Sequence, residues 1–304
     1  MKLQQLKAFL LTLDKGNFSE AALELGNSQS TVSYAVAELE KDLGAKLLRR
    51  GRFGAEATEV GLRVAAHARG VLRLTEAMQQ EADFERGIVR GTLRLATFRS
   101  VAGRIIPRMI AQLKREYPQL TFQLTEIDND ARSKLELVAA HEVDLAFVDT
   151  PPHEDSEAIS WEVTADAYFA LLLAEDPRDW LCLRDLARTP LILSQNCGCG
   201  GNILHHLEAQ GYAAVRPAYE VSADSTIVQM VAAGLGVGVL PELAIDTLPS
   251  SVKAVPLASA LKRPIYLSLL PSSLKVPAVR IFLSALKTQF PESELPQLAL
   301  PSEA

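Results

Sequence analysis

The fold of the N-terminal part is decided by residues 18–50, which read FSEAALELGNSQSTVSYAVAELEKDLGAKLLRR. Ser19 is a suitable cap for a short helix, and Gly26 can end it because glycine takes the left-handed cap conformation without strain. Ser28 can cap a second helix, which Gly44 would end. The stretch therefore predicts two helices joined by a tight turn.

The second of these helices would present a polar surface at its N-terminal end. Its apolar residues recur at helical spacing and are expected to be buried on one side: Val32, Val36, Leu39 and Leu43. We expect contacts to base edges and phosphates of DNA from the polar side chains that remain exposed: Gln29, Ser30, Thr31, Ser33 and Tyr34. Small helical hairpins also show caps and apolar stripes without binding DNA, so this stretch alone leaves that alternative open.

The residues that follow indicate a small two-stranded wing. Residues 47–58 read LLRRGRFGAEAT, with Gly51 and Gly54 near the tip and arginines along the strands. An arginine on a wing can pair with phosphates or enter a minor groove. We therefore expect Arg50 and Arg52 to contact DNA.

The order of these motifs resembles the LysR-type transcriptional regulators. After an opening apolar helix, the shared pattern is Gly-x-Phe-x-x-Ala-Ala-x-x-Leu at 16–25, Ser-Gln-Ser-x-x-Ser at 28–33, Leu-Glu-x-x-Leu-Gly at 39–44, Leu-hydrophobic-x-Arg at 47–50 and Thr-x-x-Gly at 58–61. The wing departs from the family pattern at Ala57, where leucine is usual, and at Val60, where alanine is usual. The resemblance implies an N-terminal all-α winged helix-turn-helix (residues 1–58), a long linker helix (59–88) and an α/β periplasmic-binding-protein-like effector domain of two subdomains (92–304).

The linker segment has a pattern that suits pairing of two copies. The chain runs from the cap candidate Thr58 to about Glu85 without proline, and small or apolar residues alternate as in a coiled-coil seam: Val64, Ala68, Val71, Thr75, Met78 and Ala82. A seam of such small residues is weak, and a solvent-exposed connector helix is the alternative. In the resembling family this helix pairs two DNA-binding domains antiparallel and the assembly is a dimer of dimers, so we expect a homotetramer, although the seam itself also fits a dimer.

From residue 92 the pattern alternates between strands and helices. Such repetition predicts a largely parallel sheet covered by helices on both faces. The resemblance implies two crossings between the subdomains, which we place near residues 163–166 and 261–264. Subdomain 1 would then cover about 92–163 and 264–290, and subdomain 2 about 164–263.

Loop residues after the predicted strands nominate an effector site. In open sheets of this kind, ligands bind beyond the carboxyl ends of the strands, where helix N-termini face each other. The candidates are Thr97, Arg99, Ser100, Asp149, Thr150, Ser194, Asn196, Ser222 and Asp224. Hydroxyls and amides at helix starts favour a small anionic effector such as a carboxylate, with Arg99 as its natural partner. Taken singly, each of these residues is better explained as a helix cap or turn former.

The cysteines suggest an alternative way of sensing. Cys197 and Cys199 flank Gly198 in the expected ligand loop, and His205 and His206 follow. A thiolate beside helix N-terminal amides reacts readily, and cysteine with histidine binds borderline metals, so a thiol- or metal-responsive regulator is possible chemistry here. Two small residues in a glycine-rich turn explain the motif equally simply. The second cysteine pair of a zinc site is missing, and we therefore expect no metal and no cofactor.

Charge restricts the kind of DNA binding. The chain has 31 Lys and Arg against 37 Asp and Glu, with a pI near 5.5, which argues against a protein that coats any polyanion. Residues 46–73 nevertheless hold seven Lys and Arg against two Glu. A modest local basic excess suits specific binding by a dimer, in which two copies of the patch add up.

Other function classes fit the sequence less well. A solute-binding protein would leave the first 90 residues without a role, and the sequence shows no export signal. An enzyme is not expected, because no nucleophile elbow or P-loop is present and the glycines at 234–238 lead into a strand instead of following one. We expect a cytoplasmic, ligand-responsive regulator whose partners are double-stranded promoter DNA, further copies of itself, a small effector and RNA polymerase, with no membrane involved.

Overall fold

The computed structural model describes residues 1–51, 54–127, 131–153, 155–195, 198–212, 214–258 and 261–297. The N-terminal domain contains helices α1 (Leu3–Lys15), α2 (Phe18–Glu24) and α3 (Gln29–Leu43), followed by strands β1 (Leu48–Gly51) and β2 (Gly54–Ala57). The strands pair antiparallel as the predicted wing. A long helix, α4 (Glu59–Phe84), then leads into an α/β domain of two lobes.

The caps of the N-terminal helices follow the sequence at all but one position. Asn17 caps α2, because its Oδ1 accepts the backbone N–H of Glu20 at 2.7 Å. The prediction of Ser19 as this cap is wrong, since Ser19 already lies in the first turn of the helix. Ser28 caps α3 as predicted, and Gly44 ends it with a φ of 66°.

The N-terminal domain has its own apolar core. Phe9 of α1 is completely buried against α3, whose Val32, Val36 and Leu39 face inward as their spacing predicted. The prediction that Leu43 is buried with them is wrong, because this last residue of α3 is 43% exposed. Leu47, at the entry to the wing, closes the same core. Burial of side chains of this size stabilises a domain by roughly 1.5–3 kcal/mol each.

Helix α4 is capped by Thr58, as predicted, and its 26 residues span about 39 Å. The predicted seam does not form one exposed face: Ala68 is buried within the chain, whereas Val71 is exposed and Met78 is 72% exposed. In the C-terminal half of the helix, three residues of the predicted seam and the neighbouring Leu74 form an exposed apolar stripe: Val71, Leu74, Met78 and Ala82. Ala68 packs into the core of the N-terminal domain, and the spacing of the seam alone does not show that this domain covers it.

The first lobe of the α/β domain is built on strands that alternate with helices. Its elements are β3 (Gly91–Thr97), α5 (Arg99–Arg104), α6 (Ile106–Glu116), β4 (Leu120–Glu126), α7 (Ala131–Ala139), β5 (Leu145–Val148), the N-terminal half of β6 (Ile159–Leu173), β12 (Lys262–Leu269) and α11 (Pro277–Gln289). β3 pairs parallel with both β4 and β5. The core of the lobe lies between this sheet and helices α6 and α11.

The second lobe repeats the pattern around the C-terminal half of β6. Its further elements are β7 (Leu181–Cys182), α8 (Leu183–Leu186), β8 (Leu191–Ser194), α9 (Gly198–Ala209), β9 (Tyr219–Val221), α10 (Asp224–Ala232), β10 (Val237–Pro241) and β11 (Val252–Ala258). β8 pairs parallel with β9 and β10, so the α/β class expected from the sequence is confirmed.

The chain crosses between the lobes on two paired strands. The predicted crossings at residues 163–166 and 261–264 fall on β6 and at the start of β12, which pair antiparallel there, with Arg263 directly opposite Asp166. β6 then continues into the second lobe, where it pairs with β10 and β11. The strand order β4-β3-β5-β12-β6-β10-β8-β9 therefore runs through both lobes.

Several elements were not expected from the sequence. β11 pairs with β6 along Val252–Pro256, although the internal Pro256 argues against a strand there. The short helix α5 was read as a loop because its six residues give too short a pattern. Among the helices of the described residues, none has the length and apolar character needed to span a bilayer.

Candidate functional site

The N-terminal end of α3 presents a polar surface to solvent. Gln29, Ser30 and Thr31 are exposed, and Tyr34 is 68% exposed although it is a large aromatic residue. Ser33 is half-buried beside them. We call residues 29–34 the reader face, because it has the position and polarity of the residues with which a recognition helix reads the major groove.

Two hydroxyls of the reader face also serve the helix cap. Ser28 Oγ accepts the Thr31 N–H at 3.1 Å and lies 2.8 Å from Ser30 Oγ and 2.7 Å from Thr31 Oγ1. Ser30 and Thr31 therefore share their hydrogen-bonding capacity with the cap. Gln29 and Tyr34 extend beyond this cap network.

The wing is fixed to α3 by a buried carboxylate. Glu40 Oε1 accepts the backbone N–H groups of Leu47 at 2.9 Å and Leu48 at 3.2 Å, and its Oε2 pairs with Lys46 at 2.5 Å. Burial acts to raise the pKa of Glu40, but Lys46 and the backbone donors outweigh it, and the pKa lies below its usual value. The spacing between α3 and the wing therefore has a local cause in this chain.

The predicted arginine contacts of the wing remain predictions. Arg52 and the side chain of Arg50 lie outside the described residues. The neighbouring Arg49 is exposed on β1, opposite Glu56 of β2. Strand β2 of the wing is held against the end of α1, because the N–H of Ala55 donates to the backbone oxygen of Gly16 at 2.5 Å.

A second candidate site lies in the cleft between the lobes. It opens at the carboxyl ends of β3, β5 and β8, beside the N-termini of α5, α9 and α10. The cavity has a volume of only about 30 Å³. It is lined by Phe98, Arg99, Ser100, Asp149, Ser194, Cys199, Ser222, Asp224, Pro241, Ala244 and Arg263.

Arg263 is the central group of this cleft and is only 4% exposed. Its Nη2 donates to Asp166 Oδ2 at 2.5 Å and to Ser100 Oγ at 2.9 Å, and its Nη1 donates to Cys199 Sγ at 3.7 Å. The guanidinium thus contacts residues of both lobes as well as the crossing strand β6. We call Arg263, Asp166, Ser100 and Cys199 the hub.

The electrostatics of the hub are finely balanced. Burial raises the pKa of Asp166 above its usual value, although Arg263 opposes this shift. Asp166 Oδ1 also accepts the N–H of Leu243 at 3.2 Å. Arg263 Nε is buried and has no hydrogen-bond partner among the described residues.

An aromatic ring separates two buried cations at the base of the cleft. Phe98 has the guanidinium carbon of Arg263 at 4.8 Å from its ring centroid and the Nζ of Lys134 at 5.7 Å. Lys134 is 1% exposed and donates to the backbone oxygen of Ile127 at 2.7 Å. Cation–π contacts of this kind are strongest where water is excluded.

The cleft brings together residues from both lobes that the sequence had nominated. Those that line it are Arg99, Ser100, Asp149, Ser194, Ser222 and Asp224. Thr97 and Thr150 do not: Thr97 is completely buried in β3, and Thr150 is exposed outside the lining. Asn196 lies outside the described residues. Asp224 was expected to precede the helix, but it is the first residue of α10.

Sequence reasoning missed Arg263 and Asp166 as members of the site. Both were placed within the crossings, but only their pairing across β6 and β12 shows that they meet under the cleft. The signal in the sequence that could have identified Arg263 and Asp166 is that each is an ionisable residue in an otherwise apolar strand. Charged residues in such strands are rarely buried without a partner.

The cysteine motif is only partly described. Cys199 is buried at the start of α9, whereas Cys197 lies outside the described residues. Cys182 is half-buried on β7 and donates to Asp185. Within the described ranges, no group of three or more His, Cys, Asp or Glu side chains is arranged to hold a metal ion.

Comparison with known proteins gives the same division of the chain. Residues 3–62 match the family model described as a bacterial regulatory helix-turn-helix protein of the lysR family. Residues 86–291 match the model of the LysR substrate binding domain. Together the two models cover the N-terminal domain and both lobes.

Individual proteins are similar over most or nearly all of their length. A probable HTH-type transcriptional regulator, LrrA of Synechococcus elongatus, is 37% identical over 96% of this chain and 98% of its own. A probable hydrogen peroxide-inducible genes activator of Streptomyces viridosporus is 30% identical over 80% of this chain and 78% of its own. The structure of full-length OxyR C199D from Pseudomonas aeruginosa has a TM-score of 0.78 at 21% identity, covering 98% of this chain and 99% of that one, which shows a shared fold.

The hub predicts a large stability cost for removing one charge. Arg263→Met leaves the Asp166 carboxylate buried without its cation, and we expect a loss of about 3–5 kcal/mol in the free energy of unfolding. Urea unfolding measures this loss. Arg132→Met is the matched control, because the pair of Arg132 with Glu136 is exposed and its removal should cost less than about 1 kcal/mol.

The double variant Arg263→Met with Asp166→Asn separates lost charge pairing from lost packing. It should recover part of the stability that the single variant loses, because no unpaired charge is then buried. Equal stability losses in Arg263→Met and Arg132→Met would contradict the importance of the hub.

Proposed function

The chain belongs to the LysR family of bacterial transcriptional regulators, and from this premise we propose that it binds promoter DNA as a homo-oligomer and responds to a small anionic effector held between its lobes. The family consists of regulators and not of enzymes. The observation that carries the proposal is the exposed reader face on α3, joined by one continuous helix to a two-lobed domain with a cleft.

The reader face supports sequence-specific contacts. Gln29, Ser33 and Tyr34 are proposed to contact base edges, because amide and hydroxyl groups at the start of a recognition helix reach the major groove. Ser30 and Thr31, which also bond to the cap, are proposed to contact phosphates, to which hydroxyls commonly donate. Arg50 and Arg52 are proposed as wing contacts to phosphates or to a minor groove.

The exposed stripe on α4 supports assembly of several copies. Val71, Leu74 and Met78 are large apolar residues that remain exposed on one side of a helix. Covering them with the same helix of a second copy would bury this surface and would bring two reader faces to one DNA site. A dimer of dimers and a contact with RNA polymerase remain predictions that follow from the family.

The reader face predicts loss of specific binding when Ser33 is replaced by arginine. Ser33→Arg should lower the affinity for wild-type target fragments at least about tenfold, because the long side chain displaces the helix from the base edges. The targets are obtained by sequencing genomic DNA bound by the purified wild-type protein at a stated salt concentration. Affinity for random DNA should not fall, since the change adds a positive charge.

Ser251→Arg is the matched control for this variant. It makes the same chemical change at an exposed position of the second lobe, far along the chain from the reader face. The control should bind its targets as the wild-type protein does. Target binding by Ser33→Arg at wild-type strength would show that α3 is placed wrongly as the recognition helix.

The chemistry of the cleft supports a small anion as effector. Arg263 lines the cleft with a buried Nε that has no partner within the described part of the chain, Arg99 lines it as an exposed residue, and residues of the first turns of α5, α9 and α10 complete the lining. The present cavity of about 30 Å³ holds roughly one water molecule, so an effector must separate the lobes in order to enter. Binding would thereby favour a different lobe arrangement.

A panel of small carboxylates and their uncharged amides tests the charge of the effector. We expect a carboxylate of two to six carbon atoms, but not the matched amide, to raise the thermal unfolding temperature of the full chain. Arg99→Gln should weaken that carboxylate about tenfold by removing one charge-assisted hydrogen bond, whereas Arg132→Gln should not. Equal responses to acid and amide would rule out recognition by charge.

One observation favours a second candidate function, which is thiol sensing. Cys199 Sγ is buried in the cleft with the guanidinium of Arg263 at 3.7 Å, and a nearby positive charge favours the reactive thiolate. In such chemistry the thiolate attacks one oxygen of hydrogen peroxide, the O–O bond breaks and a sulfenic acid remains. The hydroxide that leaves takes up the proton that the thiol had lost and becomes water. The similarity to a probable hydrogen peroxide-inducible genes activator is compatible with this function. Cys197 would be a candidate partner for the oxidised sulfur.

Peroxide titration of cysteine variants tests this candidate. If Cys199 senses peroxide, brief treatment should add one oxygen atom to the wild-type protein by mass, or remove two hydrogen atoms where Cys197 condenses with the sulfenic acid. It should also change the affinity for target DNA, and Cys199→Ser should abolish both effects. Cys182→Ser, which changes a thiol outside the cleft lining, should keep both. A wild-type protein whose DNA affinity does not respond to peroxide would leave only the ligand-responsive function.

A further inference from the structure

The linker helix α4 packs against the first lobe at one of its glycines. The side chain of His141 packs directly over Gly70 of α4: a Cβ atom added at Gly70 would lie 2.9 Å from His141 Nε2 and 3.0 Å from Cδ2. Glycine is therefore the only residue that fits at position 70 while the ring of His141 stays in place. The approach is specific to this pair of residues.

His141 adopts a backbone conformation that side-chain-bearing residues avoid. Its φ is 54°, and among the described residues no other non-glycine residue has a positive φ. It ends α7 as the left-handed residue of a Schellman motif, in which the N–H of His141 donates to Val138 O at 3.0 Å and that of Glu142 to Leu137 O at 2.9 Å. Glycine is the usual residue at such a position. The backbone conformation alone would therefore favour glycine over histidine at residue 141.

Two arginines of α4 frame this contact. Arg69 pairs with Glu142 of the first lobe at 3.1 Å and with Asp14 of α1 at 2.7 Å, so one guanidinium bridges the DNA-binding domain and the effector domain. Arg73 donates to the backbone oxygen of Glu142 at 3.3 Å and lies 3.5 Å from Asp144. We call Gly70 and His141, with Arg69 and Arg73 beside them, the joint.

The joint is narrow, and the far end of α4 is anchored separately. Cavities of about 460 and 350 Å³ flank the joint on its two sides. Toward the C-terminal end of α4, Glu81 pairs with Arg280 at 3.1 Å, and the buried Asp83 pairs with Arg86 and Arg90. The middle of α4 meets the first lobe at the joint and also at Glu76, which lies 3.6 Å from Arg94. Movement of the first lobe at the joint can therefore change the direction of the helix.

The same element that carries the joint also reaches the cleft. Lys134 of α7 contacts the Phe98 ring at the base of the cleft. His141 follows seven residues later, which corresponds to about 10 Å along a helix axis. β5 runs from the joint beside Asp144 to Asp149 in the cleft lining. Rigid elements therefore join the two places.

We propose that the contact of His141 with Gly70 is the joint through which the first lobe positions the DNA-binding domain, with both residues acting as positioning residues. The proposal depends on the proposed function only in taking α3 as the DNA-reading helix, and it holds for either kind of signal in the cleft. Movement of α7 shifts His141, α4 changes direction, and Arg69 carries the change to α1 through Asp14.

A double-mutant cycle tests the joint in the full-length protein. Gly70→Ala should force the ring away from α4 and change the affinity for wild-type target DNA at least tenfold, while affinity for random DNA stays the same. His141→Gly removes the ring and relieves the left-handed backbone, so the chain should fold well. In the double variant the added methyl group has room, and its affinity should match that of His141→Gly alone.

Hydrogen–deuterium exchange of α4 and α7 provides a readout that needs no DNA. Gly70→Ala should speed exchange in residues 65–77 and 131–139, and the double variant should not exceed His141→Gly. Gly103→Ala is the matched control, because Gly103 is also helical and has open space where its Cβ would lie. The measurements are made well above the pKa of Asp144, which burial raises to about 6, so that its pairing with Arg73 is kept.

The outcomes separate the joint from the assignment of the reader. Non-additive exchange without specific DNA binding by the wild-type protein would support the joint and contradict the proposed reader. Additive effects of Gly70→Ala and His141→Gly in both readouts, or a Gly70→Ala variant indistinguishable from Gly103→Ala, would overturn the joint.

Discussion

The arrangement of the two lobes depends on one buried ion pair. Arg263 and Asp166 face each other across β12 and β6, the two strands on which the chain crosses between lobes. Neither charge could stay buried without the other, and the two residues face each other only in this register of β6 and β12. The ion pair therefore fixes the register of the crossing strands. From this fixed point Arg263 reaches Ser100 in one lobe and Cys199 in the other. The cleft is therefore assembled around a cation that belongs to the hinge itself.

The parts of the structure that the sequence predicted are those with local causes. Ser28, Gly44 and Thr58 end or begin helices through contacts within four residues, and the apolar spacing of α3 is a property of that helix alone. The exchange of Ser19 for Asn17 as the cap shows the limit of this reasoning, because either of two nearby polar residues could begin the helix. Loop positions after strands also follow locally, which is why several nominated residues line the cleft.

What the sequence could not give are contacts between distant segments. Arg263 and Asp166 are 97 residues apart, and Gly70 and His141 meet only after the lobe has folded against α4. The buried face of α4 illustrates the same point: period alone could not tell the side covered by the lobe from the side left exposed at Val71 and Met78. A lone glycine in a helix, or a histidine after one, carries no sign of its partner.

The closed state of the cleft bears on how a signal could act. Opening the lobes need not break the Arg263 and Asp166 pair, because both residues lie on the paired crossing strands. The contacts that must change are those of Arg263 with Ser100 and Cys199, which come from opposite lobes. A bound anion can replace these contacts at the guanidinium, and oxidation of Cys199 would alter one of them directly. Both proposed signals would therefore act on the same cation, Arg263, and would differ only in which of its bonds they replace. A ligand shifts the equilibrium between the closed and open lobes only as far as it binds the open state better than the closed one.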